Sequence, residues 1–186
     1  MAGPMMVVDP VPAASVILLR DRPLEALMIL RHEKSSFVPS AWVFPGGAVD
    51  PADGEPGTLN AAKAAAIREV FEETAIRIDG ELVPTSRWIT PAGLPKRFDT
   101  WFFLYSVPRD VAVILQDAEA VDSTWIAPND ALARNRAGNF PMVFPTIKNL
   151  EAIASATSVD ELLASRRGAE IRRVEPILVN NRPVLP

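Results

Sequence analysis

The segment from Leu59 to Thr74, LNAAKAAAIREVFEET, reads as one helix whose two faces impose opposite demands. Thr58 before it is a suitable N-cap, because a hydroxyl there can accept from a free backbone N–H of the first turn. Ile67, Val70, Phe71 and Thr74 follow the i, i+3, i+4, i+7 rule and predict the buried stripe. Glu69, Glu72 and Glu73 stand at i, i+3 and i+4, so their carboxylates share a neighbouring face. Three such charges repel one another unless a cation joins them. Arg68, four residues before Glu72, can hold that carboxylate in one rotamer. Taken alone, an E-x-x-E-E run is most often a solvated acidic face. A set of carboxylates on a rigid helix also suits magnesium, a hard ion that takes oxygen ligands.

Around this helix the chain reads mainly as strands. ASVILLR (14–20) and EALMILR (25–31) are apolar runs separated by a polar stretch, which predicts a hairpin or neighbouring strands. WVFPGGAVD (42–50) reads as a short strand broken at Pro45-Gly46-Gly47, followed by the loop PADGEPGT. SRWIT, DTWFFLYSV (99–107) and VDSTWIA (121–127) complete the strands. The second is so continuously apolar that a central position is expected. Helical signals resume at PNDALARNR, FPTIKNLEAIAS and SVDELLASRR, and VEPILVNNRPVLP reads as an extended tail or edge strand. Strands first and helices late predict an α+β arrangement rather than alternating βαβ units. One domain over 1–186 is expected, with 1–12 and 175–186 as extended or flexible tails.

Composition narrows the function classes. With 186 residues, 48% of them hydrophobic, the chain can bury a core of its own, and its net charge of −4 is too small for a disordered chain. The same mild acidity argues against a nucleic-acid binder, whose footprint is a basic face. There is no cysteine, so disulfides, thiolate metal sites and a cysteine nucleophile are excluded. The start lacks the basic lead and long apolar run of a secretory signal, and no stretch reaches the length of a membrane span. A cytoplasmic protein with no membrane partner is therefore expected.

VFPGGAVD followed by REVFEETAI resembles the signature of the Nudix hydrolases, in which a glycine-led loop runs into a helix carrying R-E-U-x-E-E-x-G-U. Arg68, Glu69, Val70, Glu72, Glu73 and Ile76 occupy the matching positions. Two departures are visible. Ala75 stands where the pattern has glycine, a change of little consequence if that residue avoids positive φ. The loop is also longer than G-x5-E-x7-R-E allows, so counting back from Arg68 puts Asn60 in the place of the first glutamate. Asp50, Asp53 and Glu55 are loose substitutes for it. RWITPAGLPKRFDTWFFLYSV widens the likeness, because Trp88 to Pro91 and Arg97 to Phe103 are similar to segments of the branch that includes the peroxisomal coenzyme A diphosphatases.

The resemblance implies a mixed β-sheet core sandwiched between helices. It also implies metal-dependent hydrolysis of the diphosphate bond of a nucleoside diphosphate linked to another moiety, with coenzyme A or an acyl derivative as the branch's substrate. Glu69, Glu72 and Glu73 would hold Mg2+, or Mn2+ in its place. Glu119 is the positional candidate for general base and Glu69 the alternative, with Arg68 beside them in the catalytic group. Gly46 and Gly47 would shape the loop entering the site. Arg31 and Arg97 are candidates to grip phosphates through their forked donors, although a structural role is the commoner one for such arginines. Core packing is the expected role of the tryptophans in apolar runs. A small nucleotide-diphosphate molecule is the partner implied, and a homodimer is compatible with it. Two other readings stay open, a non-catalytic nucleotide-sensing domain and an RNA cap hydrolase.

Overall fold

The computed structural model describes residues 8–35, 38–116 and 120–186. Its strands in chain order are β1 (Val11–Arg20), β2 (Glu25–Arg31), β3 (Trp42–Val43), β4 (Gly46–Ala48), β5 (Val83–Ile89), β6 (Phe98–Ser106), β7 (Ala120–Ile126), β8 (Arg173–Val174), β9 (Ile177–Val179) and β10 (Arg182–Val184). The helices are α1 (Leu59–Thr74), α2 (Pro128–Arg136), α3 (Phe144–Ile153) and α4 (Val159–Arg166).

β1 is buried from Ala13 to Leu19. Alternate side chains leave a strand on opposite faces, so Ile17 and Leu19 enter one apolar cluster while Val16 and Leu18 enter another. A strand that is apolar on both sides has to lie inside a layered fold. Here it lies parallel to β6 from Val11↔Phe98 to Leu19↔Ser106, and β6 pairs antiparallel with β5 on its other side. The main sheet runs β3-β2-β1-β6-β5-β8, with β4 beside β1 and β7 beside β2. The apolar strand at 99–107 is thus central, as its composition predicts.

One face of the sheet is covered by α1, where Ala62, Ala65, Ala66 and Val70 join Val16, Leu18, Leu27 and Phe103. The other face is covered by the three later helices, through residues such as Leu132, Leu150, Ile153 and Leu163. The architecture is therefore a mixed sheet between helices, of the expected α+β class. At the edge, β8 pairs parallel to β5, and β9 and β10 form a separate hairpin. No described helix is long and apolar enough to cross a membrane.

Thr58 caps α1 as expected, accepting from the Ala61 N–H at 3.2 Å. The buried face keeps two members of the predicted stripe, Val70 and Thr74, and departs from it at the other two. Ile67 and Phe71 are 40% and 37% exposed, whereas Ala61, Ala62, Ala65, Ala66, Val70, Glu73 and Thr74 are buried. Small side chains let a helix approach a sheet closely, and the alanine face does so here. The bulkier residues are turned outward, and Glu73 is turned in.

α1 ends at Ala75, whose φ of 60° places it in the left-handed region after all. A side chain there carries a strain of about 1 kcal/mol that glycine lacks. Ala75→Gly is expected to stabilise the protein by about 1 kcal/mol and raise Tm by roughly 2–4 °C, read by calorimetry.

Candidate active site

The site begins with the way β1 divides its partners. Its second half pairs with β2 at Leu19↔Ala26 and Arg20↔Glu25, while its first half pairs with β4 at Ala13↔Ala48, Ala14↔Gly47 and Ser15↔Gly46. The Pro45 carbonyl accepts from the Val16 N–H and the Ser15 hydroxyl, each at 2.9 Å. The glycines expected to shape the loop are therefore fixed to the central strand. At Gly46, with φ of 156°, a Cβ would lie 2.2 Å from the Ala14 carbonyl oxygen. At Gly47 it would lie 2.4 to 2.6 Å from the carboxylate of Glu69. The two glycines thus bring bare backbone against the strand on one side and the helix on the other.

The three glutamates of α1 meet different surroundings. Glu73 is 4% exposed, and its Oε2 accepts from the Gly46 N–H at 2.8 Å. Glu69 is partly buried under Gly47. Its burial raises its carboxyl above the ordinary glutamate range, against the opposing pull of Arg68. Glu72 is exposed at the helix's outer side.

Arg68 ties these together. Its Nη1 donates to Glu69 Oε1 at 2.7 Å and Glu72 Oε2 at 3.1 Å. Its Nη2 donates to the Ala48 carbonyl at 3.0 Å and to Asp53 Oδ2 at 2.8 Å, and its Nε to Asp53 Oδ1 at 3.1 Å. All five guanidinium donors are accounted for. Arg68 is occupied in positioning, joining α1 to β4 and to the 3₁₀ turn Pro51–Asp53. Of the three loose substitutes for the first glutamate, Asp53 is hydrogen-bonded to Arg68 and Asp50 lies farther from it at 3.8 Å, two residues that spacing alone leaves level with Glu55.

The Arg68 hydrogen bonds hold the Asp53 carboxyl below the ordinary aspartate range. A depressed carboxyl stabilises the fold above its unfolded pKa, and this contribution is lost as pH falls through the folded value. Asp53→Asn is expected to cost about 2 kcal/mol at neutral pH. The Tm gap between the variant and the parent should close as melts are taken down the acid limb.

A cleft of about 840 Å³ opens beside this arrangement, and Gly46, Gly47, Glu69 and Glu73 line it. That volume suits a small organic ligand. Arg31 lines it as well, whereas Glu72 and Arg97 do not. Arg97 is 5% exposed, and its donors go to the carbonyls of Thr90 and Val8 and to Glu175, so the structure gives it a bracing position instead of the phosphate-gripping one expected. Glu119 lies outside the described residues. Of the tryptophans, Trp42 is core, stacked on Phe140 at 4.5 Å, while Trp88 lines the cleft with Phe144.

Among the described residues no three acidic side chains converge as a ready metal shell. Arg68 joins Glu69 to Glu72, and Glu73 turns towards Gly46. Two carboxylates on the cleft nevertheless fit magnesium, which is commonly bound by one or two carboxylates together with substrate phosphates.

A mixed sheet between helices, with carboxylates of one helix packed under a Gly-Gly strand at an open cleft, defines the Nudix type of fold. The chain belongs to the Nudix family, since the NUDIX domain matches residues 9–144. It is 28% identical over 184 residues to a Caenorhabditis elegans protein whose name assigns it to the nudix hydrolases, covering 80% of this chain and 62% of that one. The chain thus spans about three fifths of the length of this curated relative. Among solved structures, the NUDIX hydrolase of Alicyclobacillus acidocaldarius superposes with a TM-score of 0.75 at 25% identity, covering 84% of this chain and 96% of that one. The NUDIX domain of Shewanella oneidensis NrtR, complexed with ADP ribose, shares the fold with a TM-score of 0.60 at 18% identity over 81% and 90% of the two chains. A C. elegans Ap4A hydrolase shares it at 0.58 and 24% identity, over 83% and 98%.

Proposed function

We propose that this chain is a divalent-metal-dependent hydrolase that cleaves the diphosphate bond of a nucleoside diphosphate linked to another group. The observation that carries this reading is the placement of Glu69 and Glu73 on one cleft, against Gly46 and Gly47. Arg68 holds Glu69 in position through an ion pair. Glu69 and Glu73 would hold the cation, with Glu72 at the rim of the same helix. Such a cation neutralises phosphate oxygens and lowers the pKa of bound water.

The chain's own residues do the rest. Gly46 and Gly47 leave backbone open at the carboxylates, Arg31 supplies a guanidinium to the lining, and Glu69 or Glu119 takes the proton of the attacking water. Coenzyme A and its acyl derivatives are the finer substrate reading. It is supported by the Trp88-to-Pro91 and Arg97-to-Phe103 segments and by a cleft long on apolar surface. A screen with magnesium or manganese against coenzyme A, ADP-ribose, NADH and dinucleoside polyphosphates, with products separated by chromatography, tests both levels. Cleavage of none of them removes the hydrolase reading, and rapid turnover of another dinucleotide beside inert coenzyme A removes the finer one.

A further inference from the structure

The hairpin β9–β10 lies beyond residues 9–144, the part matched by the NUDIX domain, yet it supplies one side of the cleft. Within it Leu178 stands directly opposite Pro183. Side chains alternate along a strand, so these two share one face while their neighbours Ile177, Val179, Arg182 and Val184 take the other. The burial agrees. Leu178 and Pro183 line the cleft and are partly buried, and the four neighbours are exposed.

The hairpin is also anchored. Glu175, just before it, pairs with the buried Arg97, whose Nε donates at 2.9 Å to the carbonyl of Thr90, a cleft residue. Upstream, β8 is hydrogen-bonded to β5 as an edge strand. Leu178 and Pro183 have aliphatic side chains with no hydrogen-bonding group, and the same cleft is lined by Trp88, Leu94 and Phe144. The cleft-facing side chains of Leu178 and Pro183 gain from covering hydrocarbon and themselves offer nothing to a sugar or a charge, whereas the polar lining residues Thr90, Lys96 and Asn181 are set around them.

We propose that the β9–β10 hairpin, through Leu178 and Pro183, is the specificity wall of this cleft and selects nucleoside diphosphate derivatives that carry a bulky apolar substituent. The proposal rests on the hydrolase reading for the diphosphate end of the ligand.

The test uses the full chain with magnesium and two probes that differ only in hydrocarbon, the n-octyl and methyl esters of ADP. Titration calorimetry should show the octyl ester bound at least about tenfold more tightly. Leu178→Asp reduces that preference at least about fivefold, while Val179→Asp, on the opposite face of the same strand, leaves it unchanged. If a thermal melt shows that Leu178→Asp is unfolded, Leu178→Ala is read instead, with a reduction of about threefold. Equal binding of the two esters by the parent protein overturns the wall. So does an undiminished preference in a folded Leu178 variant. Hydrolysis to AMP is followed alongside. An octyl preference that depends on Leu178 without any AMP release overturns the hydrolase reading and leaves the wall standing.

Discussion

Glu69→Gln is expected to lower kcat by about two to four orders of magnitude, with the protein still folded. The amide keeps the size of the carboxylate, so the contact with Gly47 survives. It cannot take a proton or neutralise a cation, and it meets Arg68 as a neutral acceptor. Because Glu69 combines cation binding with the candidate base, the magnesium concentration for half activity should rise together with the fall in kcat. Glu119→Gln provides the contrast. If Glu119 takes the proton, kcat falls with the magnesium requirement unchanged, and rising pH restores part of the rate as hydroxide replaces the base. Near-normal kcat in Glu119→Gln across pH assigns the proton to Glu69. Near-normal kcat in Glu69→Gln removes the proposed site.

The second large effect separates two adjacent glycines. A methyl group at Gly46 collides with backbone, the Ala14 carbonyl at 2.2 Å, in a conformation that side chains rarely adopt. Backbone of the central strand cannot step aside, so Gly46→Ala should destabilise the fold by at least about 3 kcal/mol. A methyl group at Gly47 collides instead with the end of a flexible side chain, the Glu69 carboxylate. That side chain can rotate away, at the expense of its position. Gly47→Ala should therefore keep nearly the parental Tm and lose about a hundredfold in kcat, the usual effect of an ångström of misplacement. Melts and rates measured on both variants check the pair, and equal behaviour of the two contradicts the geometry.

The strands were readable because their signal is local. An apolar run such as that of β1, or the nearly unbroken β6, needs burial on both faces wherever it sits. The helix was readable for the same reason, down to its cap at Thr58. Its orientation is legible only in part: Val70 and Thr74 are buried as the pattern predicts, but alanine contributes little to a hydrophobic pattern although it permits the closest approach. The periodic pattern therefore also takes in Ile67 and Phe71, which face solvent. The carboxylates of the site were legible as a set, but the division among a buried Glu73, a half-buried Glu69 and an exposed Glu72 follows from that orientation. Asp53 and Leu178 illustrate the remaining gap. Asp53 stands among three acids that the spacing cannot separate, and Leu178 faces a cleft built from residues far along the chain, so neither is singled out by its neighbours.

The clamp of Asp53 on Arg68 also bears on how such a chain tolerates change. The 3₁₀ turn and the helix are joined by two hydrogen bonds from the Arg68 guanidinium to Asp53, and a third ties the same guanidinium to the Ala48 carbonyl of β4, rather than by a fixed count of residues. Loop-closure entropy grows only slowly with length. The stretch between β4 and α1 can therefore gain or lose residues provided that an acid returns to the guanidinium. The quantity held constant is a spatial meeting point, and the linear spacing that a motif records is one of several routes to it.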